Sequence, residues 1–191
     1  MAALETPAEV ARALGDALER HGLRYAIGGA IALGFYSAPR ATLDVDINVF
    51  VPPRGRFDEA LAALRDGGFR TEDSAAALRA QAEVEGQFRG KVAEFRVDVF
   101  VPAIAYYGRL EERRRQVPLL GRPIWVLGPE DLAVLKLMFF RRKDLADVEG
   151  LLRELGPALD RAYIRRTLVE LVGAEDVRLK VFDEIGRDVG S

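Results

Sequence analysis

The stretch Arg40-Ala41-Thr42-Leu43-Asp44-Val45-Asp46-Ile47-Asn48-Val49-Phe50-Val51, with Gly28-Gly29 ahead of it, decides how this chain reads. Leu43, Val45, Ile47, Val49 and Val51 fall at a strict period of two, the pattern of a half-buried β-strand, and Pro52-Pro53 ends it. Asp44, Asp46 and Asn48 therefore share the opposite face, with the two carboxylates about 7 Å apart along the strand. A second segment, Phe95-Arg96-Val97-Asp98-Val99-Phe100-Val101, repeats the pattern and puts Glu94, Arg96 and Asp98 on one face. Neighbouring strands lie about 4.8 Å apart, so Asp98 completes a carboxylate cluster where the two strands pair in suitable register. Acids this close repel one another unless a cation neutralises them. Carboxylate oxygens together with substrate phosphates suit magnesium or manganese. Two such ions can bind the attacking and leaving oxygens of an in-line displacement, which points to phosphoryl or nucleotidyl transfer.

The plainer alternative is that these polar residues form the solvated face of an amphipathic sheet. Asp is depleted in strands, however. The Gly-Gly turn upstream, Arg40 and Thr42 just before the pair, and the third acid downstream together favour a metal site.

Composition bounds the rest. The chain of 191 residues is 49% hydrophobic and 30% charged, which fits a globular chain with a sizeable core. Its formal charge of −2 argues against a dedicated non-specific nucleic-acid binder, though not against a local basic groove. The absence of cysteine excludes disulfides, thiolate zinc sites and cysteine nucleophiles. A single histidine, His21, excludes a multi-histidine metal site. There is no basic-plus-apolar N-terminal signal, and no apolar run approaches a membrane span, so the expectation is a soluble, cytoplasmic protein with no membrane partner.

Around the decisive stretch the elements alternate. Thr6-Pro7-Ala8-Glu9 is a capping-box helix start, and Gly22 is its natural stop. A short strand over 24–27 runs into Gly28-Gly29, and a helix follows over 30–36. A helix is expected over 56–66 and a short strand over 69–71. Residues 74–90 begin helix-like and turn towards a strand near Phe88, and 92–101 reads as the second acid-bearing strand. A helix is expected over 104–115 and a last short strand over 124–127. From Gly128-Pro129-Glu130 onward all reads as helix, over 130–141, 144–155, 158–172 and 175–186. The expected architecture is α+β: a mixed sheet with flanking helices over residues 1–127, followed by a helical C-terminal part over 128–191.

This set of motifs resembles the nucleotidyltransferase superfamily that shares the catalytic fold of DNA polymerase beta. The superfamily pattern is a strand, a Gly-Gly or Gly-Ser turn opening a helix, a strand with Asp-x-Asp, and a later strand with a third acid. Here it maps onto Gly28-Gly29, Asp44-x-Asp46 and Asp98. Gly-Gly followed by Arg-x-Thr-x-Asp-x-Asp looks most like the bacterial minimal nucleotidyltransferases, including the AbiEii-like toxin group. Pro129-Glu130-Asp131-Leu132 to Lys136-Leu137, then Arg142-Lys143-Asp144-Leu145-Ala146-Asp147, resembles the family's lysine helix and its Lys-Asp-x-x-Asp element. The resemblance covers roughly residues 24–155.

The resemblance implies that the Gly28-Gly29 amides cradle a nucleoside triphosphate, with Arg40 and Thr42 beside them. It implies that Asp44 and Asp46 hold Mg2+ (or Mn2+), and that Asp98 binds metal and helps deprotonate the acceptor hydroxyl. Lys136, then Lys143, would meet the triphosphate's charge, and Asp147 would orient one of them or the acceptor. The implied reaction is transfer of a nucleoside monophosphate to an acceptor, either tRNA or another bacterial macromolecule in the manner of a toxin with a protein antitoxin, or a small molecule such as an antibiotic. Two other readings stand beside it: a non-catalytic nucleotide-binding or protein-interaction module on the same fold, and a metal-dependent hydrolase using the same acids.

Other residues read more plainly. His21 ends a helix, where a cation meets the helix dipole favourably. Arg113-Arg114-Arg115, Arg141-Arg142-Lys143 and Arg161 with Arg165-Arg166 are basic clusters that suit either a polyanionic acceptor or solvated helix faces.

Overall fold

The computed structural model describes residues 4–189. Contacts divide the chain into two compact units, one made of residues up to 32 together with 40–127, the other of 33–39 together with 128 onward.

The first unit opens with helix α1 (Pro7–Arg20), whose N-cap Thr6 accepts from the Glu9 N–H while the Glu9 side chain accepts from the Thr6 N–H. This is the reciprocal cap that the sequence promised. Strand β1 (Tyr25–Ile27) leads into α2 (Gly29–Leu33), which is shorter than the helix expected to Tyr36. Then come β2 (Asp44–Val49), α3 (Phe57–Asp66), α4 (Ala75–Glu85), β3 (Gln87–Val92), β4 (Phe95–Phe100), α5 (Tyr106–Arg113), β5 (Arg115–Leu119) and β6 (Arg122–Val126). The six strands form one mixed sheet in the order β3-β4-β2-β1-β6-β5. The β2–β4 and β1–β6 pairs are parallel and the others antiparallel.

The expected α+β architecture with a mixed sheet and flanking helices is therefore the one observed. One sheet face is apolar, with Val45, Ile47, Val49, Val97 and Val99 fully buried. Helix α1 packs there through Val10, Leu14 and Leu18, alongside Leu61 and Leu64 of α3. Each such side chain contributes roughly 1.5–3 kcal/mol of burial. Phe88 meets Phe57 and Phe69 edge-on, at 5.4 and 5.9 Å between ring centres.

Three local readings are corrected. Leu43 precedes the strand and is 75% exposed, because β2 begins only at Asp44. Residues 92–101 are not one strand but the end of β3, a turn at Ala93-Glu94 and β4. Ala93 takes a left-handed backbone (φ 49°), unusual for alanine, so the turn carries no glycine signal. The helix expected to run to 115 stops at Arg113, and Arg115–Leu119 pairs with Arg122–Val126 as a hairpin. Its turn is Leu120-Gly121, both at positive φ as a tight hairpin demands.

The second unit contains α6 (Pro129–Phe139), α7 (Arg142–Leu155), a 3-10 turn (Gly156–Ala158), α8 (Arg161–Val172) and α9 (Val177–Val189). Its core is built from Leu132, Leu137, Val148, Leu151, Leu152, Ile164, Leu168 and Phe182. Among the described residues no helix is long and apolar enough to cross a membrane.

Candidate active site

The polar face of the sheet gathers the acid-bearing strands. β2 and β4 pair in parallel with Asp46 opposite Asp98 and Asp44 opposite Arg96. Partners in register project to the same face. On the other side of β2, the Gly28 N–H donates to the Asp46 carbonyl at 2.8 Å. Gly29 follows with φ +56°, and a methyl group placed on it would overlap the Asp46 carboxylate. A residue with no side chain is thus what lets the turn lie against that acid. Asn48, on the same face by alternation, is buried and donates from Nδ2 to the Ala26 carbonyl at 3.3 Å, so it serves the sheet. The Thr42 hydroxyl accepts from the Asp44 N–H at 3.2 Å and fixes the entry to β2. Arg40 lies exposed just before it.

The structure adds two arginines to the site: Arg96, which the sequence placed on the face of Asp98 without a role, and Arg89, which it did not single out. Asp98 is only 5% exposed, yet it is charge-compensated. Arg89 on β3, its register partner, donates from Nε to Asp98 Oδ1 at 2.8 Å, and Arg96 donates from Nη2 to Oδ2 at 2.9 Å. The same Arg96 nitrogen lies 3.4 Å from Asp44 Oδ2. The sequence signal for Arg96 was its place two residues before Asp98, on the same face of one strand. Arg89 had none, because it comes from a strand whose register only the fold fixes.

Do these acids fit a divalent cation? In donor chemistry and register they do: an all-oxygen set on adjacent strands, with a side-chain-free turn beside Asp46. In side-chain arrangement two arginines supply the neutralising charge. Among the described residues no three His, Cys, Asp or Glu side chains are gathered into a group able to hold a metal ion.

The remaining sequence-predicted residues belong to the second unit. Lys136 on α6 is buried and paired with two acids of α7, Asp147 Oδ2 at 2.7 Å and Asp144 Oδ1 at 3.3 Å. Asp144 is fully buried and accepts from Arg141 through its N–H (3.2 Å), Nε (2.6 Å) and Nη2 (3.2 Å). Burial pushes the Asp144 carboxyl up, but the Arg141 bonds and the charges of Lys136 and Arg141 outweigh it and hold the group below the usual carboxylate range. The lysine helix and the Lys-Asp-x-x-Asp element therefore meet in one ion-pair network, in which Asp144, placed in that element by the sequence but given no role there, is the fully buried member. Lys143 is exposed. In the same unit the Tyr163 hydroxyl donates to the buried Asp131 at 2.7 Å.

No family model and no curated protein sequence matches this chain. Solved structures do match it in fold. The solution structure of the antibiotic-resistance factor ANT(2″)-Ia aligns with a TM-score of 0.61 at 16% identity, covering 86% of this chain and 94% of that one. A crystal structure of ANT(2″)-Ia in complex with adenylyl-2″-tobramycin aligns at 0.58 and 14% identity, covering 93% and 97%. An antigenic nucleotidyltransferase-like protein from Paracoccidioides brasiliensis aligns at 0.56 and 18% identity, covering 92% of each chain. At these identities what is shared is the fold.

Proposed function

We propose that this chain is a divalent-cation-dependent nucleotidyltransferase that moves a nucleoside monophosphate from a nucleoside triphosphate to an acceptor hydroxyl. The observation that carries the reading is the register of the polar sheet face, with Asp46 beside Asp98 and the Gly28-Gly29 turn closed onto Asp46. The fold shared with ANT(2″)-Ia supports it.

Asp44 and Asp46 would hold the cation with oxygen ligands, and Asp98 would take the proton from the acceptor hydroxyl. When bound, magnesium or manganese supplies charge neutralisation at the transferring phosphate and the leaving pyrophosphate. The Gly28-Gly29 turn, packed against Asp46, would set its backbone beside the triphosphate. The acceptor oxygen bonds to the α-phosphorus, the bond from that phosphorus to the bridging oxygen breaks, and pyrophosphate departs. The chain's own contribution is positioning and preset charge.

The two arginines on Asp98 favour a second reading, a nucleotide-binding module without transfer. One experiment separates the two. Label transfer from each α-phosphate-labelled nucleoside triphosphate is followed with magnesium and a bacterial RNA-plus-lysate acceptor mix, for the wild type and Asp46→Asn. Manganese-dependent nucleotide binding is measured alongside. Transfer by the wild type alone is the expected result. Nucleotide binding without transfer favours the module, and the absence of any metal-dependent nucleotide binding overturns both readings.

A further inference from the structure

The sheet face that carries the acids also carries a cationic strip, and the two are laid out in rows. One row runs Gly28, Asp46, Asp98, Arg89, from the end of β1 through β2 and β4 to β3. The next runs Asp44, Arg96, Lys91, Arg70, the last joined by an isolated bridge in which the Arg70 N–H donates to the Lys91 carbonyl and the Lys91 N–H to the Arg70 carbonyl, both at 2.8 Å. Register partners share a face. Burial agrees, since Arg70, Arg89, Lys91 and Arg96 are exposed whereas their alternating neighbours Phe69, Phe88, Val92 and Val97 are buried.

Two properties of the strip matter. It lies on the β3–β4 side of the acids, whereas the glycine turn lies on the β1 side. With strands about 4.8 Å apart, it extends to about 14 Å from Asp44. It is also only partly spent on internal pairing, through Arg89 and Arg96. Arg70 and Lys91 have no side-chain ion pair among the described residues. Arg89 gives Asp98 only its Nε, and Arg96 gives the acids one Nη2, so most of their guanidinium donors face solvent. In a chain of net charge −2, such a strip is a local departure from the whole.

We infer that the acceptor is a nucleic acid strand, whose phosphodiester backbone lies along Arg70, Lys91, Arg89 and Arg96 so that its hydroxyl reaches Asp98 from the β3–β4 side. This rests on the transferase reading of the site and chooses among its acceptors. A cationic antibiotic would meet like charge on this approach, whereas a polyanion gains charge-assisted hydrogen bonds and releases counterions.

The test uses the full chain and a fluorescein-labelled single-stranded RNA of mixed sequence, followed by fluorescence anisotropy across a salt series. The wild type is compared with Arg70→Gln/Lys91→Gln, which touches neither the acids nor the glycine turn. Manganese-dependent ATP binding and thermal stability are measured on both proteins. The wild type is expected to bind with affinity falling steeply with salt. The variant should bind about tenfold more weakly at moderate salt, with the slope of log affinity against log salt flatter by about 0.7 for each charge removed. ATP binding and stability should be unchanged. If ATP binds but the RNA does not, or if the variant binds it as well as the wild type with the same slope, the inference is overturned and the transferase reading stands. If the wild type shows no manganese-dependent ATP binding, the transferase reading falls and takes the acceptor assignment with it.

Discussion

Gly29 sits where two demands meet. Its backbone is left-handed, which costs an L-residue with a side chain about 1–2 kcal/mol, and its missing Cβ leaves the space that the Asp46 carboxylate fills. Gly29→Ala brings both penalties at once: the backbone stays left-handed, and the Asp46 carboxylate must swing away from the new methyl group. We expect this variant to lose about 2–4 kcal/mol of stability by urea titration, and to lose nucleotide binding under conditions where it is still folded. An unchanged urea midpoint would show that the turn does not press on Asp46. At this scale the acids were legible in the sequence, because Asp is out of place in a strand and its alternation fixes its face. Their counterions were less so. Arg96 stood on the same face of the same segment and was visible, but Arg89 meets Asp98 only through the antiparallel register of β3 on β4.

At the scale of elements, α6 and α7 are joined by charge inside their apolar packing. Lys136 of α6 is shared by Asp144 and Asp147 of α7, and Asp144 also caps the start of α7 by accepting from the Arg141 N–H. Lys136→Met keeps the volume and removes the charge, leaving Asp144 with Arg141 alone. The expected loss at pH 7 is about 3 kcal/mol. The pH dependence follows from the lowered Asp144 value. A carboxyl depressed in the folded state stabilises above its unfolded pKa of about 4, and that stabilisation is lost as pH falls through the folded value. The gap in urea midpoint between wild type and variant should therefore be wide at pH 7 and narrow below about pH 4. A gap independent of pH would mean that the lysine contributes only its hydrocarbon. Elements with strong punctuation, such as α1 with its capping box and β2 with its alternation, were readable at once. β5 was not, because Arg113-Arg114-Arg115 extends a helical pattern smoothly and only Leu120-Gly121 signals the hairpin. The β3–β4 turn was harder still, since Ala93-Glu94 has none of the residues that tight turns favour.

Across the whole molecule, the path of the chain separates what is local from what is distant. β3 and β4 are joined by two residues, whereas β2 and β4 pair across the intervening α3, α4 and β3. Local contacts cost little loop entropy, and distant ones must wait for closure. The order of assembly follows. The β3–β4 hairpin can close by itself, and on closing it brings Arg89 and Arg96 onto Asp98. On this expectation β2 would arrive only afterwards with Asp44 and Asp46, docking against an acid whose repulsion has already been cancelled. Mild substitutions such as Val99→Ala in the hairpin should then slow folding more, per unit of lost stability, than Val45→Ala in β2. Equal fractional effects in stopped-flow refolding would place both strands in the nucleus together. The arginines would thus also act as a folding escort, letting a chain bring Asp46 beside Asp98 before any metal or substrate is present to neutralise them.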